Sequence, residues 1–191
     1  MIGNMSPLRL LNISGSANRE YWFSQAIIIL STVAGVYLAS LAGFQIAVNF
    51  DRYQSTSEVS YLEKSLRAEV ADNITMVEKW STTYKDGPML WHDKRFAPAE
   101  SHQLDDMIWK TMHNSPRTFE VKPEILTTVR RFYSEVRQHK TILFQQQQPN
   151  SLAQSSIKAL GVIASKARTE ILPMIDADIE RLENDLLTFS D

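Results

Sequence analysis

The sequence predicts an all-α protein: one N-terminal transmembrane helix, then a soluble bundle of about four helices. Three observations carry this. Not one charged residue occurs from Tyr21 to Phe50. Later segments place apolar residues three and four apart, the helical period. Gly and Pro number only 6 and 7 among 191 residues, too few for the tight turns of a sandwich or barrel. Hydrophobic content of 43% is enough for a real core and argues against wholesale disorder. The chain divides into a polar N-terminal tail (1–20), the transmembrane helix (21–50) and a helical soluble domain (51–191).

The apolar heart of the first helix runs from Ala26 to Val48. About twenty apolar residues cross a hydrocarbon core of roughly 30 Å, so this run spans it with room to tilt. Tyr21, Trp22 and Phe23 stand at one end, Phe50 and Tyr53 at the other. These are the positions where amphipathic rings meet the headgroups. Ser40 and Ala42 imitate a signal-peptidase site, but the apolar run continues past them behind a long leader, so the segment is expected to be retained. Arg9 and Arg19 flank one end, and Arg52 is offset by Asp51 at the other. That balance favours a cytoplasmic N-terminus and a domain outside the cytoplasm.

Ser31, Gly35, Ala39, Gly43 and Ala47 recur every fourth residue and form one slowly drifting stripe of small side chains. Burying apolar surface does not drive helices together in lipid, whereas close backbone approach does, and small residues permit it. The stripe, with Gln45 as a hydrogen-bonding neighbour, is the expected packing face for another transmembrane helix. That helix is either a second copy or a different subunit.

Val59, Leu62, Leu66, Val70, Ile74 and Val77 continue the helical pattern from Asp51 to about Lys85, with Glu63, Lys64, Arg67, Glu69 and Asp72 assigned to the other faces. No Gly or Pro lies between Gly43 and Gly87, so the membrane helix can run into this one as a single rod. Gly87-Pro88 ends it, and a loop follows. Glu100 to His113 is a short helix by pattern, ended at Ser115-Pro116, and Thr118 to Val121 reads as extended. Pro123 suits the first turn of a helix that reaches Phe144. A Gln-rich linker (145–150) leads to Ser151, the expected N-cap of the next helix, which Pro173 kinks or splits.

Function classes are narrowed mainly by exclusion. With no cysteine there are no disulfides, thiolate metal sites or cysteine nucleophiles. A net charge of −2 gives no electrostatic reason to expect a nucleic-acid partner. No Gly-rich phosphate loop, nucleophile elbow or H-E-x-x-H is present. His92-Asp93, and His102 and Asp106 with Glu100 and Asp105, have metal-compatible chemistry but lack the matching Glu-x-x-His that a bundle metal site uses, so solvated polar residues are the better reading. Neither a catalytic residue, a cofactor nor a metal ligand is assigned. Arg130, Arg137 and Lys140 form a basic facet able to meet an anionic ligand, and Trp91 is a candidate partner anchor.

The junction carries a resemblance. Gly35-Val-Tyr-Leu-Ala-Ser-Leu-Ala-Gly-Phe-Gln45-Ile46, then Asn49-Phe50, Tyr61-Leu62-Glu63, Leu66, Glu69 and Asn73, resembles a set of uncharacterised bacterial single-pass membrane proteins. There, an apolar helix ends in Gln-apolar-Asn-aromatic and leads into a Leu- and Glu-bearing helix ending in Asn. Here Ala47 and Val48 are inserted, and Phe50 stands where tryptophan is usual. The likeness covers about residues 35–73 and implies membrane anchoring with a helical soluble domain, hence a bacterial inner membrane. The expected function is a non-enzymatic accessory or assembly subunit of a larger membrane complex. The competing reading is a membrane-tethered sensor or effector whose bundle binds a small anionic ligand or signal.

Overall fold

The computed structural model describes residues 16–85, 103–144 and 149–188. In order these form α1 (Ser16–Thr83), α2 (Met107–Met112), a 3-10 helix (Pro116–Glu120), α3 (Pro123–Phe144), α4 (Asn150–Lys166), a π-helical segment (Ala167–Ile171) and α5 (Leu172–Thr188). The protein is all-α, with no strand among the described residues. It separates into two compact units, Met1–Phe50 and Asp51–Asp191. Helix α1 starts at Ser16, inside the segment the sequence assigns to a polar tail, and continues unbroken through Phe50 to Thr83.

In the first unit the helix is long and apolar enough to cross a membrane, and none of its most apolar stretch is buried. Leu30, Val36, Leu38, Phe44 and Ile46 all face outward. In lipid a single helix satisfies every backbone group internally, which is what such a surface requires. The hydroxyls follow the same rule. Ser31 Oγ and Thr32 Oγ1 donate to the Ile28 carbonyl at 2.9 and 2.8 Å. Tyr21 and Trp22 pack edge to face with ring centroids 6.5 Å apart.

In the second unit the periodic residues turn inward. Leu66, Val70, Ile74 and Val77 of α1 are fully buried, as are Ile125, Val129 and Val136 of α3 and Leu160 and Ile175 of α4 and α5. Helix α4, the π segment and α5 form one continuous helical stretch, antiparallel to α1. Ion pairs mark that register: Arg168 clasps Glu78 (2.8 and 2.7 Å), Arg67 clasps Asp176 (2.7 and 3.2 Å), and Lys64 meets Glu183 at 2.6 Å. Gly161 faces Ser81, where an added Cβ would lie in ordinary contact, 3.4 Å from Ser81 Oγ.

Pro173 does not split the helix. It lacks an N–H, and its ring collides with the carbonyl four residues back in an ideal α-helix. The turn before it widens instead: Leu172 N–H donates to the carbonyl of Ala167, five residues back.

Three local expectations are corrected. Residues 116–120 are 3-10 helix rather than extended, because Pro116 starts a turn that Ser115 caps by accepting from Arg117 N–H at 3.3 Å. The helix read at 100–113 is regular only from Met107 to Met112 among the described residues, and it buries Trp109 and Met112 while Met107 is exposed. Helix α4 starts at Asn150, one residue before the expected cap Ser151, and no side chain caps it.

Candidate functional site

Two features of the structure bear on function: the uncovered small-residue stripe of the first unit and a buried polar seam in the second. Ser31, Gly35, Ala39, Gly43, Gln45 and Ala47 are all exposed. A Cβ added at Gly35 or Gly43 meets no atom within 4 Å. Among the described residues, none fills the space those glycines leave.

The seam begins with Glu69. Its carboxyl oxygens accept from Ile108 N–H at 2.5 Å, Trp109 N–H at 3.1 Å and the Tyr133 hydroxyl at 2.7 Å. One turn on, Asn73 donates to the Asp105 carbonyl (2.5 Å) and to the Tyr133 oxygen (3.1 Å), and accepts from Asp105 N–H (3.0 Å). These two α1 side chains therefore pin the irregular residues 103–106, the start of α2 and α3 to α1. At the start of α2 the N-cap Asp106 makes no side-chain bond; Asp105 Oδ1 accepts from Met107 N–H at 3.2 Å, and Glu69 takes the next two N–H groups. Tyr133 stacks on Trp109 at 5.9 Å, and burial with the neighbouring Glu69 raises its phenol pKa.

Glu63 lies further back along α1. It is 0% exposed and Asp178 of α5 is 1% exposed. Asp178 Oδ1 receives Lys122 Nζ at 2.6 Å and Arg181 Nε at 2.7 Å. Burial and the adjacent Asp178 push the Glu63 carboxyl far above the ordinary carboxyl range. For Asp178, burial pushes upward, but hydrogen bonds from Arg181, Lys122 and Glu63 outweigh it and hold the pKa low.

By sequence, Glu63 and Glu69 fall on the faces away from the apolar stripe, and the structure buries both. The signal that finds them was present: residues 59, 63, 66, 70, 73 and 77 step by three and four along one stripe, and Glu69 lies beside it. Reading the stripe by apolar residues alone passes over its polar members. Glu63, Glu69 and Asn73 are also three of the positions on which the family resemblance rests, and all three are buried.

The basic facet does not gather into one site. Arg137 is committed to Asp106 at 3.0 Å, and Asp106 also meets Lys110 at 2.9 Å. Lys140 is half-buried, and burial together with Arg137 lowers its pKa. Arg130 instead edges a cavity of about 280 Å³ with Trp109, Met112, His113, Phe119 and Leu126. Trp91, His92, Asp93, Glu100 and His102 lie outside the described residues, as do 145–148 of the Gln-rich linker. Among the described residues no cluster of three His, Asp or Glu side chains is arranged to hold a metal. Glu78 and Glu120 pair with Arg168 and Arg117.

No family model matches the chain, and neither a curated protein nor a solved structure shows significant similarity to it.

Proposed function

We propose that the chain is a non-enzymatic accessory or assembly subunit of a larger membrane complex. It is anchored in a bacterial inner membrane by residues 21–50, with its N-terminus in the cytoplasm and the helical domain outside it. The observation that carries this reading is the uncovered stripe Ser31–Gly35–Ala39–Gly43–Ala47, with open space at both glycines. A second transmembrane helix, from another subunit or another copy, fits that groove with close backbone contact, and Gln45 can hydrogen-bond across the pair. A non-catalytic role is supported by what the buried polar groups do: Glu69, Asn73 and Tyr133 bind one another and the backbone, holding segments together.

The test is extraction in mild detergent followed by mass measurement of the native particle. A partner or second copy at fixed stoichiometry, lost in the Gly35→Leu/Gly43→Leu double variant, supports the proposal. An unchanged particle in the variant removes the groove from the account.

The alternative, a tethered sensor for a small anionic ligand, is favoured by the Arg130 cavity. Its walls are mainly apolar, and Arg130 makes no ion pair with any described residue. Phenyl phosphate, with one ring and one anionic group, is a suitable probe. A melting shift in the wild type that Arg130→Gln abolishes supports the sensor reading, and no shift in either protein excludes this probe class.

A further inference from the structure

Two carboxyl groups in the core have oxygens that lack donors. Both carboxyl oxygens of Glu63 and Oδ2 of Asp178 are buried without a donor. Two ionised carboxylates cannot face each other there, because desolvation and like-charge repulsion both oppose it. A single proton on Glu63, donated to Asp178, gives the Asp178 oxygen a donor and leaves Glu63 neutral. The remaining Asp178 charge then meets Lys122 and Arg181, and Arg181 in turn meets Asp185 at 3.2 Å.

We propose that Glu63 and Asp178 form a single-proton binding site that latches α1 to α5, closed when the proton is held and loosened when it leaves. The charged groups facing the pair are Lys122, which precedes α3, and Arg181 of α5, with the exposed Asp185 behind Arg181. With one proton the local set is two cations against one anion. Without it there are two of each, but Lys122 Nζ and Arg181 Nε are both directed to Asp178 Oδ1, so Glu63 gains a charge that no donor reaches.

The direction of the pH effect follows. The folded Glu63 carboxyl is raised from 4.5 to about 8. Between those values the folded chain holds a proton that the unfolded chain has released. Unfolding therefore becomes easier as pH rises, by about tenfold in the unfolding constant per pH unit for one proton. Below the lower value both states are protonated and the contribution is complete. Above the upper value it is gone.

The experiment is a denaturant series on the full chain in detergent from pH 5 to 9, wild type against Glu63→Gln. The amide cannot ionise and can donate to Asp178, so it mimics the protonated state. The wild-type unfolding constant is expected to rise steeply from pH 5 to about pH 8 and level off beyond it, with Glu63→Gln removing about one proton's worth of slope. Infrared spectroscopy of the wild type at pH 7 provides a second readout that does not depend on the variant folding well. A protonated-carboxyl C=O band that vanishes by pH 9 supports the site. Equal slopes in the two proteins overturn the proposal, as does the absence of a protonated-carboxyl band at pH 7.

Discussion

Helix α1 is one element with two opposite surfaces. From Tyr21 to Phe50 it has no charge and turns Leu30, Leu38 and Phe44 outward. From Asp51 to Thr83 it carries charges on the outside, yet buries Glu63, Glu69 and Asn73 in its apolar stripe. The contrast shows that the same backbone is finished differently for each solvent. In the half that is long and apolar enough to cross a membrane, Ser31 and Thr32 bond to the helix's own backbone and the small residues lie open. Where water is the surroundings, apolar burial supplies the driving force, and a few buried polar groups specify which segment docks where.

The comparison breaks most sharply at Glu69. Replacing it with Ala leaves Ile108 N–H, Trp109 N–H and the Tyr133 hydroxyl without their acceptor. A loss of about 3–5 kcal/mol in unfolding free energy is expected, read by denaturant titration of the full chain in detergent. Glu69→Gln, which keeps an acceptor oxygen, costs less. Destabilisation of equal size in both variants contradicts the pinning role.

The apolar half responds to a different insult. Leu38→Arg puts a charge near the middle of the span, at a cost of about 2.5–3.5 kcal/mol for insertion. The expected result is a fall in the membrane-bound fraction on carbonate extraction. Ile74→Ala, by contrast, opens a cavity in the second unit and costs about 2–5 kcal/mol of folding stability, leaving membrane association intact. Smaller still is Arg67→Ala. Its bidentate pair with Asp176 lies on the surface, so the expected loss is about 0.2–1 kcal/mol and shrinks with added salt.

Legibility followed regularity. Val59 to Val77 and Ile125 to Val136 were readable because a long amphipathic helix repeats its signal over several turns. The short pieces were not. Trp109 faces inward and Met107 outward because Glu69 and Asn73 set the register of residues 105–109, and those contacts are 32 to 40 residues away in sequence. Residues 116–120 carry no periodicity at all, and Ser115 and Pro116 decide their turn. The buried carboxyls were hidden by their own chemistry. A Glu in a helix reads as solvated, and only the position of Asp178 on another helix shows that Glu63 can be neutral. The small stripe is written in spacing alone, and the structure adds that its residues are exposed.

The central claim is that the apolar half of α1 is a packing surface as well as an anchor. The most direct measurement is the native mass of the detergent-extracted wild type beside Gly35→Leu/Gly43→Leu, both expressed from their normal membrane. The account predicts a wild-type particle heavier than one chain by a fixed stoichiometric increment, and a variant that stays in the membrane fraction as a single chain. A single-chain mass for the wild type, or an identical heavier particle for both proteins, would contradict it.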